Sequence, residues 1–172
     1  MPIYALGDLV PEIHTDAFVH PDSVIIGAVK IGAGTSIWPC AVLRGDTNEI
    51  SIGDNCSIQD GAIIHCTADL PTVIGNSCTV GHNAHLEGCR VSDFALIGSG
   101  ALVLHEVIVG ESALVAAGAV CTRGLVVPPN ALAIGVPARI KENAADKATM
   151  EYSRASYARL TVRYSQELRR IG

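Results

Sequence analysis

Val24-Ile25-Ile26-Gly27-Ala28-Val29-Lys30-Ile31-Gly32-Ala33-Gly34-Thr35-Ser36-Ile37-Trp38-Pro39-Cys40-Ala41-Val42-Leu43 puts an aliphatic side chain at every sixth residue: Ile25, Ile31, Ile37 and Leu43. The same phase begins earlier, at Ile13 and Val19. It resumes at Ile52, Ile58 and Ile64, at Ile74, Val80 and Leu86, and from Val91 through Ile97, Val103, Val109 and Val115 to Cys121. Neither the helical nor the strand period sustains a repeat of six over this length. A short strand closed by a tight corner does. Gly often follows the aliphatic residue, as in Ile31-Gly32, Ile52-Gly53 and Ile97-Gly98, and a small side chain such as Ala41, Cys56, Ala62 or Ala84 falls four places on. Three such units make one triangular coil of about 18 residues, and stacked coils bury the faces that one coil alone leaves open. The expected fold is an all-β solenoid, a parallel β-helix of hexapeptide repeats over residues 1–140.

The composition agrees with a narrow prism. The chain of 172 residues is 49% hydrophobic but only 4% aromatic, with 17 glycines, so branched aliphatics must fill the core and glycines turn the corners. Stacking converts the repeat into columns. First faces begin at Ile13, Ile31, Ile52, Ile74, Val91, Val109 and Val127, and third faces at Ile25, Leu43, Ile64, Leu86, Val103 and Cys121. The phase slips between Leu43 and Ile52, between Ile64 and Ile74, and between Leu86 and Val91, always after a third face. One edge of the prism therefore carries the irregular loops, where function tends to sit on a rigid solenoid.

Residues 141–171 lack Gly and Pro, and Tyr157, Leu160, Tyr164, Leu168 and Ile171 recur at helical spacing. This predicts an α-helix in a C-terminal unit, residues 141–172, packed by its apolar stripe on the solenoid. The net charge of −5 disfavours nucleic acid and anionic membranes as partners. No apolar run is long enough to span a bilayer. Met1-Pro2-Ile3-Tyr4 lacks the features of a signal peptide, and the expected location is cytoplasmic. The six cysteines form no C-x-x-C pair and read as free thiols.

The outward residue just after the third-face aliphatic is Arg44, then His65, then Glu87, in three successive coils. The preceding face offers Gln59 and Asp60, then His82, and Asp46 lies in the loop beyond Arg44. Two imidazoles and a carboxylate in register are good Zn²⁺ ligands that leave a position for water. Such a metal lowers the pKa of its water to about 7.

The segments Val42-Leu43-Arg44-Gly45-Asp46, Asn55-Cys56-Ser57-Ile58-Gln59-Asp60-Gly61, Ile64-His65 and Val80-Gly81-His82-Asn83-Ala84 resemble the γ-class carbonic anhydrase family. The similarity runs from Ile3 to about Lys141. It implies a left-handed β-helix with a C-terminal helix, assembled as a homotrimer with a metal at each subunit interface. His65 would ligate from one subunit and His82 from its neighbour. The implied reaction is reversible CO2 hydration by a metal-bound hydroxide. Gln59 would then hydrogen-bond the hydroxide or substrate, Asp46 would sit near the pocket, and Arg44 and Asp60 would pair across the trimer interface. Tyr157 falls where the family's helix brings a tyrosine toward the site.

The family pattern places a third His five residues after the second, and here that residue is Glu87. Three readings follow. Glu87 ligates in its place, giving two His and one carboxylate for Zn²⁺, with Fe(II) or Co²⁺ as alternatives. Alternatively His85, in an otherwise apolar column with Val42, Ile63 and Leu102, serves as the ligand. In the third reading the site is lost and the chain is a non-catalytic trimer that binds a partner or a small anion. A hexapeptide acyltransferase shares the coil, but it would need a general-base His and a coenzyme A groove.

Overall fold

The structure, a computed structural model, describes residues 2–172. The chain winds about seven parallel coils followed by one helix. The aliphatic columns stack in register on all three faces. The first face pairs Ile13 with Ile31, Ile31 with Ile52, Ile52 with Ile74 and Ile74 with Val91, continuing through Val109 to Val127. The second runs from Val19 through Ile37, Ile58, Val80, Ile97 and Val115 to Ala133. The third runs from Ile3 through Ile25, Leu43, Ile64, Leu86 and Val103 to Cys121. Ile25, Ile37, Leu43, Ile58, Ile64, Leu86 and Ile97 are fully buried, and Ala41, Ala62, Ala84, Ala101 and Ala119 fill the corners beside them. The interior is one continuous apolar rod.

Corners between coils satisfy their backbone through side chains. Asp54 accepts from the Ala33 N–H at 2.8 Å, Asn76 from the Asp54 N–H at 2.9 Å, and Asp93 from the Asn76 N–H at 2.8 Å. Each such bond ties a coil to the next and satisfies one backbone donor at the bend.

The first phase slip differs from a detached loop. Val42–Ile52 is one continuous strand beside Val24–Ile31. Gly27 faces Gly45 and Val29 faces Ile50, so Ala28 alone opposes residues 46–49. The insertion is a bulge, which bends its strand and re-aims the side chains around it. Arg44 and Asp46 stand at its start.

The C-terminal helix, Lys147–Glu167, is shorter than the sequence pattern implied. Arg139–Lys141 instead turns back as an antiparallel strand on Leu132–Ile134 and caps the second face. Asp146 starts the helix by accepting from the Thr149 N–H at 3.1 Å and its hydroxyl at 2.7 Å. The packed stripe includes Met150, which is buried, and ends near Tyr164. Leu168 and Ile171 lie beyond the helix and are exposed. The seat is aromatic: Trp38 meets Tyr157 and Tyr164 edge-on, with centroids 5.2 and 5.0 Å apart, and Phe18 meets Tyr164 at 6.3 Å. This anchors the helix across the second face and delivers Tyr157 to the corner that carries His82. Among the described residues no helix is long and apolar enough to cross a membrane.

Candidate metal centre

Arg44, His65 and Glu87 are direct neighbours in adjacent strands, as the repeat required. His65 ends the strand Ile63–His65, and Glu87 ends His85–Glu87. His82 follows Thr79–Val80 of the second face, at the corner where the third face begins, opposite the end that carries His65 and Glu87. The three therefore cannot surround one ion within a single protomer. Among the described residues only Asp46, His65 and Cys66 bring three ligand-type atoms within 4.8 Å of one another.

The ring orientations are informative. His65 Nδ1 lies 2.8 Å from the Arg44 carbonyl oxygen and 3.8 Å from Asp46 Oδ1. Both are acceptors, so Nδ1 carries the proton and Nε2 keeps its lone pair. His82 Nδ1 lies 2.9 Å from Asp60 Oδ2, which fixes the same tautomer. Its Nε2 accepts from the Tyr157 hydroxyl at 3.1 Å. An imidazole anchored through Nδ1 with Nε2 free is the usual state of a metal-ligating histidine; His65 is in that state, whereas the Nε2 of His82 is engaged by Tyr157.

Around them, Arg44 pairs with Asp46 within the protomer. Burial pushes the Asp46 carboxyl up, but the Arg44 hydrogen bond and charge outweigh it and hold the group below its ordinary value. Asp46 Oδ1 is buried without a hydrogen-bond partner, an acceptor left open beside His65. Gln59 is buried. The Tyr157 phenol is pushed up by burial, then by the charge of Asp60, so it stays a protonated donor.

The first coils, residues 11–45, match the family model for the bacterial transferase hexapeptide (six repeats). The carnitine operon protein CaiE of Escherichia coli K12 is 38% identical over 146 residues, covering 85% of this chain and 74% of CaiE. Gamma carbonic anhydrase 2, mitochondrial, of Arabidopsis thaliana is 39% identical over 155 residues, covering 87% of this chain and 56% of that protein. Among solved structures, a Bacillus cereus protein provisionally assigned as an acetyltransferase superposes with TM-score 0.91 at 35% identity, covering 94% of this chain and 95% of that one. The chain belongs to the γ-class carbonic anhydrase-like family of hexapeptide-repeat proteins. Its solenoid is the left-handed parallel β-helix of that family.

Set against the family pattern, this chain carries Glu87 where the third histidine is expected, and histidines stand around it. Glu87 Oε2 lies 3.3 Å from His85 Nε2, and Oε1 lies 3.6 Å from His105 Nε2. Burial raises the Glu87 carboxyl, but its contacts with His85 and His105 prevail and keep it below the ordinary carboxylate range. His85 thus sits beside Glu87, in register with Ile63 and Leu102. His105, a coil-edge histidine that the sequence connects only to the acyltransferase alternative, is the second imidazole beside Glu87. The outward position after Val103 is Leu104, so column logic passes His105 by. Its ring reaches back over Gly88 to the preceding coil, where a Cβ would lie 3.2 Å from His105 Cδ2.

Donor chemistry fits a divalent cation. His65 and His82 offer imidazole nitrogens, Glu87 a carboxylate held below its ordinary range, and the open Asp46 acceptor adds negative potential nearby.

Proposed function

We propose that the chain is a homotrimeric metal-binding protein that interconverts CO2 and bicarbonate. His65 and Glu87 of one copy, with His82 of an adjacent copy, would hold Zn²⁺, or Fe(II) or Co²⁺. The observation that carries this reading is the anchoring of both imidazoles through Nδ1, with Glu87 in register on His65. The Nε2 of His65 is left without a partner in the single protomer, and the Nε2 of His82, engaged there by Tyr157, would exchange that hydrogen bond for the cation. Threefold packing of the third face brings one end of each copy to the other end of the next. The apolar Ile63 and Leu102, exposed in the single protomer, then gain cover.

The cation, when bound, supplies Lewis acidity toward water and toward the oxygens of the substrate. The chain's own groups do the rest. Gln59 orients substrate through its amide. Asp46 Oδ1 offers an open hydrogen-bond acceptor beside His65, and Arg44 keeps that carboxylate ionised. Asp60 holds the His82 ring through Nδ1, and Tyr157, which bonds Nε2 in the single protomer, would yield that nitrogen to the cation and stay beside it. A carboxylate at residue 87 offsets more of the cation's charge than imidazole does, so hydration near neutral pH is slower than with three histidines.

Glu87→His tests the assignment. It should raise both Zn²⁺ affinity and the rate of CO2 hydration, read by stopped flow with an indicator and by metal content after dialysis. Unchanged affinity and rate in a metal-loaded variant would remove Glu87 from the ligand set. Metal binding without hydration in either form would leave the binding reading, in which a small anion is held at the cation. Calorimetry with acetyl-CoA addresses acyl transfer, the activity assigned to the Bacillus cereus neighbour.

A further inference from the structure

We infer that His105, together with His85, positions the Glu87 carboxylate for ligation, an inference that rests on Glu87 being the third ligand. Each carboxylate oxygen has its own imidazole, His85 Nε2 on Oε2 and His105 Nε2 on Oε1. The His85 contact comes from the same strand, two residues away on the same outward face. The His105 contact comes from the next coil and belongs to the same protomer. His105 Nε2 is buried and has no hydrogen-bond partner, so Glu87 is the group it faces without competition. The gap of 3.6 Å exceeds hydrogen-bond length, so a small shift of the carboxylate closes it.

The logic is that of an anchored ligand. His65 and His82 are each oriented by a bond to the ring nitrogen that does not face the cation. A glutamate is longer and has more rotatable bonds than either ring needs to fix. Left free, it loses more side-chain entropy on ligating. Holding the oxygen that does not face the cation removes that cost. Outer partners of this kind change metal affinity by about 10–100-fold.

The test uses the full chain, Co²⁺ as probe, and the variants His105→Phe, His105→Gln and Glu87→Gln. The readouts are Co²⁺ affinity, the visible d–d absorption of the complex, and the melting temperature of the metal-free protein. Phe keeps the ring volume and removes the donor, whereas Gln keeps a donor. Glu87→Gln should weaken Co²⁺ binding. His105→Phe should weaken it about 10–100-fold and shift the absorption bands while the metal-free protein melts as before. His105→Gln should restore most of the affinity. Wild-type affinity and spectrum in His105→Phe, with Glu87→Gln impaired, would overturn the role of His105 and leave Glu87 a ligand. Equal losses in the Phe and Gln variants would overturn it too. Wild-type binding in Glu87→Gln would overturn the ligand assignment and the inference with it.

Discussion

Gly27 couples the stability of the solenoid to the geometry of the site, and replacing it with alanine makes the coupling measurable. Gly27 has φ +77°, and a Cβ built on it would lie 2.2 Å from the Gly45 carbonyl oxygen and 3.0 Å from its carbon. Gly45 separates Arg44 from Asp46 at the start of the bulge. Gly100 is the control, because its φ is +66° and nothing lies within 4 Å of a Cβ there. Both alanines carry a left-handed backbone cost of about 1–2 kcal/mol. Both also stiffen the unfolded chain, which returns about 0.4–1 kcal/mol. Gly100→Ala should therefore cost about 1.5 kcal/mol or less. At Gly27 the contact must also open beyond 3.0 Å, closer than real Cβ contacts come, and the opposing atom is backbone. Forcing two paired strands apart by most of an ångström adds an overpacking cost of about 1–3 kcal/mol. The expected total is about 1–4.5 kcal/mol. Urea unfolding at one fixed protein concentration reads it as a lower midpoint at unchanged slope. Gly27→Ala should also weaken Co²⁺ binding, whereas Gly100→Ala should not. Equal midpoint shifts for the two variants would refute the steric argument.

Two further outcomes follow from groups outside the centre. Cys40 is exposed, and the other five thiols are buried, with Cys89 and Cys121 pushed up by burial to about 12 and about 11. Iodoacetamide at pH 8 should therefore add one label to the native protein, on Cys40, and six after denaturation, counted by mass spectrometry. Asp146 is held below its ordinary 3.8 by its hydrogen bonds to Thr149. A lowered carboxylate contributes stability above its unfolded pKa and loses it as pH falls through the folded value. The helical circular dichroism signal should thus weaken below pH 3.8, and Asp146→Asn, which still caps, should flatten that acid limb.

The solenoid was legible because one physical requirement repeats. Every sixth side chain must fill the prism, and the register then carries that order from Ile13 to Val127 with no knowledge of long-range contacts. The same register placed Arg44, His65 and Glu87 side by side. The bulge was less legible. An insertion of three residues reads equally as a loop, and only the pairing of Gly27 with Gly45 shows that the strand stays continuous. The helix was overextended because the stretch 141–171 lacks breakers, while the Asp146 cap and the antiparallel return of Arg139–Lys141 are decided by packing.

The centre divides along the same line. Position is a backbone property of the coil, so residue types at 44, 65 and 87 change without disturbing the core, and a glutamate can stand at an outward ligand position without loss of fold. Orientation is a property of neighbours. The Arg44 carbonyl turns His65, Asp60 turns His82, and a histidine from the next coil faces Glu87. Column logic sees the first kind of information and misses the second, which is why His105 escaped it. Of the three proposed ligands, only the carboxylate has two donor atoms that can be shared between a cation and an imidazole. The change at residue 87 and the histidines at 85 and 105 are therefore best treated as a single unit. They should be varied together, and the double variant Glu87→His with His105→Phe should bind Co²⁺ no more weakly than Glu87→His alone. With the glutamate gone, the His105 donor has no carboxylate left to hold.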